Sequence, residues 1–146
     1  MSKDDELLTK DFKEVLERKG YEVIYYTIDE YPRFGQFNKV REDIMRSTGM
    51  VAFGLKQLNI HTATYRPDTQ DKEEWSEKWF STPWNQIEVG MGLMKGMPIL
   101  LVTDPEIKNG VFDEGLSECF VAHVSTTDDF RDLEYVEGFK EWLAKL

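Results

Sequence analysis

"STPWNQIEVGMGLMKGMPILLV" (Ser81 to Val102) carries a helix start, a helix stop and a buried strand in one run. Pro83 suits the first helical position, where a backbone N–H would have no partner, and Ser81 or Thr82 before it is a cap residue. The helix is expected to run to about Lys95 and end at Gly96. "MPILLVTD" then reads as a strand buried on both faces, because it is apolar without alternation.

The same signals recur outward from this point. Leu8, Phe12 and Val15 fall at i, i+4 and i+7, with Leu7 and Leu16 beside them, which predicts an amphipathic helix over 5–19 stopped by Gly20. "YEVIYYTI" (21–28) is β-branched and aromatic and predicts a strand, and "DEYPRFGQFN" is a loop punctuated by Pro32 and Gly35. Phe37, Val40 and Ile44 predict a short helix, and "GMVAFGL" (49–55) a buried strand. Downstream, "CFVAHVS" is a further strand, and "STTDD" caps a last helix with Phe139, Trp142, Leu143 and Leu146 inward. The segment 56–82 is too long for an ordinary connection and reads as a functional insertion or a surface flap. Within it only "TQDKEEWSEKWF" has helical character.

Helices alternating with short apolar strands predict one α/β domain over 1–146, an open parallel sheet with helices on both faces. The chain opens on a helix, so the first strand usual in such a sheet is expected to be missing or truncated. Composition agrees with a compact globule, being 40% apolar and 32% charged. A formal charge of −10 opposes nucleic-acid binding, which relies on clustered Lys and Arg. The lack of a run of ~20 apolar residues argues against a membrane span, and the lone Cys119 argues against disulfides and zinc. The expected setting is cytoplasmic, with no metal and no resident cofactor. Small nucleotides stay open as ligands, because backbone N–H groups at a helix start hold phosphate even on an acidic protein.

In open α/β sheets ligands bind beyond the carboxyl ends of the strands. Glu88 falls in the first two turns of the helix that begins there, one turn after Trp84. A helical wheel puts Trp84, Ile87, Met91 and Met94 on one face with Glu88 at its margin. Gly90 and Gly92 weaken the helix by ~1 kcal/mol each relative to Ala, which predicts close packing at both. The competing account of Glu88 is a solvated carboxylate favoured by the helix dipole. His123 fits a hydrogen-bonded strand residue and His61 a lone loop residue, while Tyr65, Arg66, Trp75 and Trp79 fit packing or a lid.

At Glu88 the chain resembles a known family. "TPWNQIE" (82–88) is similar to the Ser-x-Trp-x-x-x-Glu signature of TIR (Toll/interleukin-1 receptor) domains, with the same tryptophan-to-glutamate spacing. "SKDDELLTKDFKEVLERKGYEVIYYT" resembles the family's first helix and second strand, and Pro32 to Gly35 fall at its BB loop. "VREDIMRSTGMVAFG" and "EVGMGLMKGMPILLV" resemble its next two helix–strand units. The resemblance implies a flavodoxin-like, TIR-like three-layer sandwich that hydrolyses the N-glycosidic bond of NAD or a related nucleotide. Glu88 would be the essential carboxylate, and Trp84, Asn85, Arg33, Phe34 and Gly35 the substrate contacts. Trp84 is expected to pack beneath the carboxylate, since it shares the apolar face. Two departures stand out, the absent first strand with its Ser-rich turn and the long connection over 56–82. Nucleoside 2-deoxyribosyltransferases share the architecture and are the alternative enzyme reading. A non-catalytic module that senses nucleotides or self-associates is the alternative outside catalysis, and a homo-oligomer is expected in either case.

Overall fold

The computed structural model describes residues 3–26, 35–115, 118–124 and 136–146. In chain order the elements are α1 (Lys3–Arg18), α2 (Gln36–Arg46), β1 (Met50–Gly54), β2 (Leu58–Tyr65), β3 (Glu73–Phe80), α3 (Pro83–Lys95), β4 (Ile99–Thr103), β5 (Phe120–His123) and α4 (Glu137–Leu143). The fold is α/β, with a three-stranded parallel sheet of order β1-β4-β5 and a separate antiparallel pair, β2-β3.

Side-chain alternation sorts the core into two layers, one on each side of the parallel sheet. Leu100 and Val102 of β4 pack with Leu8, Phe12, Val15 and Leu16 of α1 and with Phe139 and Trp142 of α4. Ile99 and Leu101 point the other way, into Val40 and Ile44 of α2 and Val89 of α3. All five residues of β4 are buried, as its unalternating sequence predicts for a strand covered on both faces. Register is direct, with Met50 opposite Ile99 and Thr103 opposite His123. The Trp142 indole N–H donates to Pro98 O at 3.0 Å, which fixes α4 against the start of β4.

The helix ends follow the glycines. Gly20, Gly35 and Gly96 all have positive φ, and Gly96 closes α3 in the left-handed conformation that a Cβ disfavours. At the other end of α3, Thr82 occupies the cap position but its side chain makes no capping bond, and the buried Ser81 hydroxyl has no hydrogen-bond partner. The side-chain cap expected from Ser81 or Thr82 is therefore not made. Lys95 supplies a contact across elements instead. Its ammonium donates to Ile44 O at 2.8 Å and to Ser47 O, placing a cation at the carbonyl end of α2.

Two expected secondary-structure elements also differ. The helix expected in "TQDKEEWSEKWF" is β3, paired antiparallel with β2 from Leu58↔Phe80 to Tyr65↔Glu73. Trp75 and Trp79 are four apart, a spacing that suits one face of a helix and one face of a strand equally. Cross-strand contacts decide it, since Trp75 stacks on Tyr65 at 4.5 Å and 10°, and His61 meets Glu77 at 2.8 Å. The strand expected over 21–28 is the second failure. Residues 21–26 join no ladder among the described residues, and 27–28 lie outside them. Alternation nonetheless persists there. Tyr25 is hydrogen bonded to Thr9 of α1, and Tyr26 donates to Asp43 of α2, on the opposite face of the sheet. The segment is directed like a strand but pairs with no strand among the described residues.

Candidate active site

The carboxyl ends of β1 and β4 meet at one edge of the parallel sheet. The Thr103 hydroxyl, 1% exposed, donates to Gly54 O at 3.3 Å, and the Asp104 N–H donates to the same carbonyl at 3.0 Å. The start of α3 is tied to this edge by two amide side chains. Asn85 donates from Nδ2 to Phe53 O, at the end of β1. Gln86 donates to Asn109 O at 3.1 Å and accepts from the Val111 N–H at 2.9 Å, which joins α3 to the loop after β4. α1 begins at the same edge, with Asp5 accepting from Gln57 at 3.2 Å.

Glu88 lies one turn beyond Asn85. It is half-buried and lines a cavity of about 510 Å³ that α1, residues 20–26, α2 and β1 enclose. That size falls within the range of ~300 to 1,000 Å³ common for small-molecule sites. Phe12, Leu16, Val40 and Ile44 supply apolar walls, and Tyr26, Asp43 and Glu88 supply polar groups.

Asp43 is the most constrained of these acids, at 5% exposure. The Tyr26 hydroxyl donates to one oxygen, while Lys39 at 3.1 Å and Arg46 at 3.0 Å hold the other. The Tyr26 hydrogen bond keeps the Asp43 carboxyl below the usual carboxylate range, with Lys39 and Arg46 adding to it against the opposing effect of burial. Burial, then the bond to Asp43, pushes the Tyr26 hydroxyl above its ordinary value. The arrangement keeps Asp43 ionised and Tyr26 protonated over the neutral range, so the cavity wall carries a fixed anion at Asp43. Sequence reasoning singled out neither residue. The Lys39–Asp43 and Asp43–Arg46 spacings are legible helix pairs, but the tyrosine that completes them comes from a distant segment.

The other expected site residues divide. Asn85 stands at the strand ends, but its amide is committed to the β1 backbone. Trp84 does not lie on a buried face of α3. It is 40% exposed and leans on Phe37 of α2 at 5.3 Å, forming an aromatic pair open to solvent. The wheel reading is reversed because α3 is apolar on more than one side. Val89 and Gly92 are its buried positions, while Ile87 and Met94 are exposed. A Cβ on Gly92 would lie 2.9 Å from Ile99 Cδ1, which accounts for that glycine, whereas Gly90 has open space around it and the close packing expected there is absent. Gly35 precedes α2 with φ 71°, and Arg33 and Phe34 lie outside the described residues.

Lys56, just past β1, pairs with Asp104 at 3.6 Å and with Glu106, and sits over the Trp79 ring. His123 pairs with Glu114 at 2.7 Å, and His61 pairs with Glu77 in the hairpin rather than standing alone in a loop. No helix among the described residues is long and apolar enough to cross a membrane. No family model matches the chain, and no curated protein or solved structure does so.

Proposed function

We propose that the chain is a TIR-like nucleotide-processing domain that hydrolyses the N-glycosidic bond of NAD or a related nucleotide, with Glu88 as its essential carboxylate. The observation that carries this reading is the position of Glu88, half-buried in the second turn of α3 and facing a cavity of ligand size at the carboxyl edge of a parallel sheet. The Ser-x-Trp-x-x-x-Glu-like run over 82–88 and the helices on both faces of the sheet support a flavodoxin-like, TIR-like sandwich.

The chemistry suits a single acid. The bond from ribose C1′ to the pyridinium nitrogen breaks heterolytically, its electron pair leaves with nicotinamide as a neutral ring, and no general acid is needed. Positive charge develops on C1′ and the ring oxygen, where the Glu88 carboxylate stabilises it. Water then adds to C1′ and releases its proton to solvent. Arg33 is the candidate for a phosphate, and Phe34 and the exposed Trp84 for the bases. Nicotinamide release from NAD, followed over time, tests the reading. Glu88→Gln is expected to lower the rate about 10²- to 10³-fold with the fold unchanged. Unaltered turnover in Glu88→Gln would remove the proposal. Release of free base from deoxynucleosides, with NAD left intact, would move the assignment to a deoxyribosyltransferase-like enzyme.

One observation favours the non-catalytic, self-associating alternative. Among the described residues, β1 pairs only with β4, which leaves its other edge open to a further strand. Light scattering with and without NAD measures whether copies assemble, and a monomer under both conditions would remove that alternative.

A further inference from the structure

α3 turns an apolar face to solvent. Ile87 and Met94 are 40% and 89% exposed, and Gly90 and the half-buried Met91 lie between them. The four fall at i, i+3, i+4 and i+7, one continuous stripe of a helix and the spacing by which one helix docks on another. Gly90 in this stripe has no cause inside the chain. It weakens the helix relative to Ala, and a Cβ there would meet no atom of the described residues within 4 Å. A helix packed from outside supplies the cause, because a glycine admits the close approach of a neighbouring backbone or a large side chain. Charge singles out the same face. In a chain that is 32% charged, α3 has only Glu88 and Lys95, and both are engaged elsewhere. Glu88 lines the cavity, and Lys95 binds the carbonyls of Ile44 and Ser47 at the end of α2.

We propose that this stripe is the contact through which two copies of the chain form a two-fold dimer, with α3 packed antiparallel on α3. Two observations select a second copy as the occupant. The stripe is complementary to its own reverse. Turned about the midpoint of Gly90 and Met91, Ile87 meets the partner's Met94, and the adaptable Met91 side chain fills the space over the partner's Gly90. The contact also brings no like charges together, whereas two chains of net charge −10 repel each other across an acidic surface. A basic partner would be drawn to that acidic surface and away from this uncharged face. The inference depends neither on the nucleotide reading nor on the open edge of β1.

Sedimentation of the full chain over a range of concentrations reads the dimer. Met94→Lys and Ile87→Glu each place a charge in an apolar contact and are expected to raise the dissociation constant by roughly tenfold or more. Mixing the two variants is expected to recover a dimer. The antiparallel arrangement sets the introduced lysine against the introduced glutamate and leaves the other Ile87–Met94 contact intact. Gly90→Leu separates association from folding, since the open space accepts the side chain and Tm rises while the dimer is lost. A wild-type chain that stays monomeric at every concentration would overturn the proposal and leave the stripe to a different protein. A dimer that neither Met94→Lys nor Gly90→Leu weakens would overturn it by placing the contact elsewhere. Failure of the mixed variants to associate would overturn the antiparallel arrangement.

Discussion

Every residue of β4 is buried between two helical layers, whereas no residue of β2 or β3 reaches full burial. Both sheets use β-branched and aromatic residues, yet they are held differently. The parallel sheet owes its stability to side chains from four helices, and its strands lie far apart in sequence. The hairpin is held by its own cross-strand pairs, Tyr65 on Trp75 and Thr64 on Glu74. The contrast separates a strand that cannot form without its surroundings from one that forms locally and is attached at its base.

Substitutions can test that contrast. Leu101→Ala empties a site between β4 and the α2–α3 layer and is expected to destabilise by ~2 to 5 kcal/mol, read by chemical denaturation. A smaller loss would mean that this layer is looser than its burial implies. Asp43→Ala strips the acceptor from Tyr26, Lys39 and Arg46 and is expected to cost about 1 to 3 kcal/mol. The same site sets a pH dependence. Because the folded carboxyl titrates below its ordinary value, its stabilisation is complete above that ordinary value and disappears as pH falls through the lowered one. A denaturation series on the acid side should therefore flatten in Asp43→Ala. Trp75→Ala removes the stacked pair of the hairpin and is expected to cost only about 0.5 to 1.5 kcal/mol. A loss as large as that of Leu101→Ala would break the comparison, placing the hairpin inside the main cooperative unit.

The fold was legible where periodicity and punctuation agreed. Leu8, Phe12, Val15 and Leu16 gave α1, Pro83 and Gly96 bounded α3, and the unalternating "ILLV" gave β4. It was not legible in β3, where two tryptophans four apart satisfy both periods and cross-strand partners such as Tyr65, ten residues before Trp75, decide between them. The position of Glu88 followed from its place in a helix that starts at the sheet edge. The direction of Trp84 did not, because α3 is apolar on several sides and its inner face is chosen by the small Gly92 against Ile99. The Tyr26–Asp43 pair was hidden for a related reason, since helix spacing shows Lys39 and Arg46 as partners but cannot show a hydroxyl arriving from another segment.

The base of the hairpin has a kinetic consequence. Leu58 lies opposite Phe80, and the Gln57 N–H reaches Phe80 O at 3.0 Å, so zipping the hairpin brings together two points well separated along the connection from β1 to β4. Hairpins close in ~1 to 10 μs, before long-range parallel pairing can be established. Once closed, this one roughly halves the loop that β1 and β4 must still bridge, which lowers the entropic cost of that closure by ~0.6 kcal/mol. An appendage that adds little to the finished core thus shortens the search by which the core is found.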